Sequence, residues 1–191
     1  MRITDYAEKA RSTAIYPRTA RVFYPMMGVG GEVGELTEKI QLGGTDDEIA
    51  KEMGDVLWYL VNTLEDIEWG FVDCVRFFAD LRGNEGTFSD VQAHVVFYYE
   101  NDTIINGGIT ELAIHAGKIL EIGKKALRDN AGKVPDIKKR AIGKHCMLIL
   151  QELCIIAHLH GLNLDDVAQA NIDKLFSRRD RGVLGGSGDN R

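Results

Sequence analysis

Four carboxylates in two short stretches have the type and spacing to hold a divalent cation. Glu32-Val33-Gly34-Glu35 sets two acids three residues apart, and Glu52-Met53-Gly54-Asp55 repeats the arrangement. In a helix such pairs share one face. Residues 36–51 separate the two pairs and include a Gly43-Gly44 turn, a length that lets two helices pack antiparallel with their acidic faces opposed. Four carboxylates converging there repel one another strongly unless cations neutralise them. Hard oxygen donors of this kind suit Mg²⁺ or Mn²⁺, ions that keep several waters and also bind phosphates. Gly34 and Gly54 fall at mid-helix positions, where glycine costs about 1 kcal/mol relative to alanine. They leave room for close helix approach or for a ligand. Acid pairs at this spacing are also common on solvated helices, so spacing alone supports a metal site and a solvated surface equally.

The elements that must position these acids are helices. Ile49, Met53, Val56, Leu57, Leu60, Leu64 and Ile67 recur at steps of three and four, which predicts an amphipathic helix over residues 46–69. Thr45-Asp46-Asp47 supplies capping oxygens and negative charge at its start, and Gly70 is expected to stop it. Further helices are predicted over 26–40, 110–127, 135–160 and 164–181, with shorter ones over 4–14 and 71–81. The run Val95-Val96-Phe97-Tyr98-Tyr99 has strand-like composition, but it has no partner strand, and helix is the expectation there. The tail Gly185–Arg191 is too glycine-rich for a helix and reads as a loop that either folds over a ligand or frays. The fold class expected is all-α.

Composition narrows the functional classes. Hydrophobic residues at 45% and charged residues at 27% are those of a soluble globular protein. A net charge of -6 argues against a general nucleic-acid binder, which needs a basic face to displace counterions. The sequence lacks a run of 18 apolar residues, so no membrane partner is expected. Residues 1–5 lack the apolar core of a signal peptide. Cys74, Cys146 and Cys154 form neither a CxxC pair nor an even framework, and read as reduced, buried thiols of a cytoplasmic protein.

The chain also repeats itself weakly: helix, glycine turn, helix over 28–70, and again over 111–161. Matching Gly34 with Gly117 puts His115 opposite Glu32 and Lys118 opposite Glu35. Matching Gly54 with Gly143 puts Ala141 opposite Glu52 and Lys144 opposite Asp55. Every acid of the first copy is lost in the second. Two unrelated amphipathic hairpins would give the same appearance.

Gly31-Glu32-Val33-Gly34-Glu35-Leu36 and Lys51-Glu52-Met53-Gly54-Asp55-Val56-Leu57-Trp58-Tyr59-Leu60 together resemble the MazG-like all-α nucleoside triphosphate pyrophosphohydrolases, marked by ExxE, a spacer and ExxD. The stretch from Tyr6 to Pro25 is similar to the start of that family. Ala168-Gln169-Ala170-Asn171-Ile172-Asp173-Lys174-Leu175, Ser177-Arg178, Arg181-Gly182-Val183-Leu184 and the glycine-rich tail are similar to its phage and bacterial members. Family members of ordinary length place the Asn-x-x-Lys helix soon after ExxD, whereas here residues 56–170 intervene. A tandem fusion is the simplest account. It gives a helical bundle of two MazG-like repeats packed as a pseudo-dimer, residues 1–85 keeping the metal ligands and 86–191 forming a degenerate copy that keeps the tail.

The resemblance implies that a nucleoside triphosphate is split by water at the α-phosphorus, with pyrophosphate leaving. Glu32, Glu35, Glu52 and Asp55 would hold Mg²⁺, with Mn²⁺ as an alternative. Glu35 would also orient or deprotonate the water, with Glu38, otherwise a solvent-facing residue, as its substitute. Lys39, Asn171, Lys174 and Arg178 are candidates for phosphate contacts, and Arg181 a weaker one; the arginines alternatively complement a helix C-terminus. Trp58 and Tyr59 are candidates to stack on a base, although aromatics at helical spacing more often belong to a core. Family members assemble from two or more subunits, so a homo-oligomer is a further expectation. Duplication with decay would alternatively leave a non-catalytic nucleotide sensor or a helical interaction scaffold.

Overall fold

A computed structural model describes residues 1–81, 86–101 and 108–185. Among them the protein is all-α, with eight helices and no strand: α1 (Ile3–Ser12), α2 (Phe23–Gln41), α3 (Asp46–Asp66), α4 (Phe71–Phe78), α5 (Phe88–Asn101), α6 (Ile109–Asp129), α7 (Asp136–Leu159) and α8 (Leu164–Asp180). The expected boundary at residue 85 and the tail beyond Gly185 lie outside the described residues.

Local chemistry sets the ends of the site-bearing helices. Thr45 and Glu48 form a reciprocal capping box at the start of α3: Thr45 Oγ1 accepts from the Glu48 N–H, and Glu48 Oε2 accepts from the Thr45 N–H at 2.9 Å. α2 ends where Gly43 takes φ +70° and the Gly44 N–H reaches back to the Lys39 carbonyl at 2.8 Å. α3 does not run on to Gly70. Glu68 adopts the left-handed conformation, at φ 57°, and the Trp69 N–H closes on the Leu64 carbonyl. Gly70, also at positive φ, instead precedes α4. α4 is shorter than expected, ending at Phe78. α2 begins before Pro25 rather than after it, because proline is tolerated in a first turn whose N–H groups lack intrahelical partners. The chain enters α2 through Val22 at φ 73°, an unfavourable conformation for a β-branched residue. Its N–H donates to Asp66 Oδ2 at 3.0 Å, which holds it there. Residues 95–99 are helical, within α5.

Two antiparallel hairpins, α2–α3 and α6–α7, pack against each other through α2 with α6 and α3 with α7. α3 and α7 are central, with apolar residues such as Met53, Leu57, Leu60, Ile149 and Leu153 fully enclosed. α7 is long and apolar enough to cross a membrane by length and composition, but 67% of its most apolar stretch is buried inside the protein. The last helices of the two halves cross over. α8, from the second half, lies chiefly on α3, and α4, from the first, reaches α7.

Candidate metal centre

The α2–α3 hairpin brings together Glu32, Glu52 and Asp55, each offering a carboxylate oxygen within 4.8 Å of the others. Heptad-like burial explains the approach. Val29, Val33 and Leu36 of α2 and Ile49, Met53 and Val56 of α3 are all buried, so the intervening acids are drawn along the seam between the helices. Glu52 is only 6% exposed. Burial, reinforced by Asp55, Glu35 and Glu52, pushes the Glu32 carboxyl up to about 8, with Lys174 pulling the other way. Burial is the larger cause, and the crowding of Asp55, Glu35 and Glu52 adds to it. That crowding is the condition a divalent cation relieves, and an all-oxygen donor set fits a hard ion. Glu35, one turn along α2, is exposed and close enough to act on Glu32, but it stands outside the tight group of three. Glu38 is exposed a further turn on.

α8 closes the site from the far end of the sequence. Lys174 Nζ contacts both Asp55 oxygens, at 2.7 Å and 2.6 Å, and Asn171 Nδ2 donates to Asp55 Oδ1 at 2.9 Å. The approach depends on Gly54, since a Cβ there would lie 2.8 Å from the Asn171 Cβ. Gly34, by contrast, faces open space. Behind Asn171 stands Tyr6 of α1, fully buried, whose hydroxyl donates to Asn171 Oδ1 at 3.1 Å. Burial pushes this phenol well above its usual range, so it stays a donor. Sequence reasoning missed Tyr6. The only signal was its place in the family-like N-terminal stretch.

The other expected phosphate ligands are dispersed. Lys39 lies further along the α2–α3 seam and pairs with Glu48 at 3.4 Å. Arg178 is buried on α8, one turn beyond Lys174. Arg181 is exposed, and its Nε donates to the Ser177 carbonyl at 3.2 Å, the role of a helix C-terminal cation. Trp58 is not available to a base. It is 9% exposed, and its indole N–H is shared between Thr13 Oγ1 at 2.8 Å and the Ala10 carbonyl at 3.1 Å on the first helix and its end. The stronger pull is the apolar seam between α1 and α3. Tyr59 is partly buried and packs edge-on against Trp58, 4.7 Å between centroids, in a group with Tyr16 and Tyr24. Burial, then the Tyr24 hydroxyl, raises its phenol, with Glu32 and Asp55 adding to the shift. A Cβ on Gly28 would collide with this ring, so Gly28 is what admits Tyr59 to the α2–α3 seam.

In the second hairpin, His115 faces His145 with their Nδ1 atoms 3.3 Å apart. Both rings are held below the usual imidazole range, first by burial, with Lys144 acting on both and Lys118 on His145. No carboxylate trio forms there among the described residues.

Residues 26–75 match the family model for the MazG nucleotide pyrophosphohydrolase domain. That span holds α2 from Met26 on, α3 and the start of α4, hence all four acids, and none of α8. The chain is also 37% identical, over 76 residues, to the Gene 37 protein of Mycobacterium phage L5, covering 40% of this chain and 67% of that protein. No solved structure matches the chain.

Proposed function

Because the chain belongs to the MazG nucleotide pyrophosphohydrolase family, we propose that it hydrolyses a nucleoside triphosphate, most plainly a deoxynucleotide, to the monophosphate and pyrophosphate with Mg²⁺. The observation that carries this reading is the trio Glu32, Glu52 and Asp55, within 4.8 Å, backed by Lys174. Mg²⁺ bound there would neutralise triphosphate charge and acidify an attacking water. Glu32, Glu52 and Asp55 supply the ligand oxygens, with Glu35 beside them. Lys174 and Asn171 fix Asp55 in one orientation, and Lys174 is the cation placed to meet a phosphate oxygen. Glu35, exposed at the mouth, takes the proton of the water that attacks the α-phosphorus as the bond to the pyrophosphate oxygen breaks. Glu38, a turn away, is its substitute in this scheme.

The same reading takes the chain as a fused pseudo-dimer with one working site and a role in nucleotide-pool control. The paired hairpins and the crossing of α8 onto α3 support it. The test is pyrophosphate release from each deoxynucleoside and ribonucleoside triphosphate with Mg²⁺, alongside Glu35→Gln. Turnover of at least one nucleotide, abolished in the variant, is expected. No release from any nucleotide would overturn the proposal.

A further inference from the structure

A cavity of about 820 Å³ lies between α4 and α7, separate from the acidic centre. One stripe of α7, Arg140, Gly143, Lys144 and Met147, forms one wall at steps of three and four. Trp69, Phe77 and Phe78 form the other. Gly143 is what lets the Trp69 indole lie directly on α7, since a Cβ there would meet the ring atoms Cδ1 and Nε1 at 2.9 Å. The aromatic wall is left uncovered: Phe77 is 92% exposed and Trp69 38%. The acids on the rim are already engaged, Glu68 with Lys139 and Asp73 with Arg76. Arg140 and Lys144 make no ion pair or hydrogen bond among the described residues. They stand one helical turn apart on the same face, a span of about 6 Å that two neighbouring phosphates can bridge.

We propose that this cavity is a second nucleotide site, holding a nucleoside di- or triphosphate with its base against Trp69 and Phe77 and its phosphates on Arg140 and Lys144. The volume suits a ligand of that size. Flat aromatic faces stack on any base. A guanidinium and an ammonium with no carboxylate partner supply the charge, so no metal is needed. The site therefore binds without turnover and suits sensing of the same class of molecule that the acidic centre is proposed to consume. It rests on that reading only for the link to regulation, and binding itself is independent of it.

The test uses the full chain in EDTA, with nucleotide added and tryptophan fluorescence recorded. The chain has two tryptophans, and Trp58 is buried, so quenching reports on Trp69. Saturable quenching by a nucleoside triphosphate is expected, retained in Glu32→Gln and weakened about tenfold or more in Arg140→Ala and in Lys144→Ala. Both substituted side chains are exposed, and unchanged thermal melting confirms that the variants fold. Pyrophosphate alone is expected to compete more weakly than the nucleotide. Three results would overturn the proposal: no saturable quenching; binding in both α7 variants unchanged from the parent; or loss of binding in Glu32→Gln, which would return the ligand to the acidic centre. Equal competition by pyrophosphate would overturn the assignment of the base to Trp69.

Discussion

Lys174 grips both oxygens of Asp55 at 2.7 Å and 2.6 Å across a separation of 119 residues. The pair is about four-fifths buried on both sides, so it is more than a surface ion pair. Removing the lysine leaves Asp55 with Asn171 as its only α8 partner and takes the nearest cation from the proposed phosphate site. Lys174→Ala is expected to raise KM for the triphosphate about tenfold or more, with Lys174→Arg recovering part of the loss. Steady-state kinetics decide this, and an unchanged KM in Lys174→Ala would remove it from the site.

The two mid-helix glycines are expected to respond in opposite directions. Gly34 faces open space on an exposed position, so Gly34→Ala should stabilise the protein by about 1 kcal/mol through helix propensity. Gly54→Ala drives a methyl into Asn171 and should destabilise by about 1–3 kcal/mol while displacing α8 from Asp55. Urea unfolding measures both. A destabilised Gly34→Ala or a neutral Gly54→Ala would contradict the packing described.

Metal-free protein should lose stability as pH rises. Glu32 ionises near 8 in the folded chain and near its ordinary 4.5 when unfolded. Between those values the folded state keeps a proton that the unfolded state has lost, so stability declines across the window and levels off above it. Glu32→Gln should remove this part of the slope. Mg²⁺ should raise the melting temperature at pH 8 more in the parent protein than in the variant. Parallel melting curves for the two would show that Glu32 carries no such burden.

Asp66 anchors the entry to α2. Its carboxylate, with no exposed side-chain surface, accepts from the Arg11 guanidinium, from the Tyr16 hydroxyl at 2.8 Å and from the strained Val22 N–H at 3.0 Å. Asp66→Ala takes the acceptor from the Val22 N–H and Arg11 Nη2, leaves Tyr16 only Asn62 Oδ1 at 3.4 Å and releases Val22, at an expected cost of about 3 kcal/mol. A loss below about 1 kcal/mol in denaturant unfolding would show that water replaces the carboxylate.

Much of this was legible in advance because it depends on local rules. The i, i+3 acids of α2 and α3 and the apolar stripe through Met53 and Leu57 follow from helical periodicity alone, and the capping box at Thr45 has a local signature. Asn171 and Lys174 came from family-like residues, and their partner was not deducible, since nothing local ties α8 to α3. Trp58 misled because the base-stacking and core readings use the same side chain at the same spacing, and only the position of α1 decides between them. Tyr6, Asp66 and the left-handed Glu68 were hidden for the same reason: each is defined by a neighbour distant in sequence or by a turn that does not use the nearest glycine.

The crossing of α8 onto α3 also orders events in time. A ribosome makes the acids of α2 and α3 before Asn171 and Lys174, which follow 116 and 119 residues after the aspartate they hold. Until α8 emerges, Asp55 has no counter-charge and the seam no lid. A product cut short before α8 would carry all four acids of the motif and still lack the Asn171 and Lys174 contacts that hold Asp55.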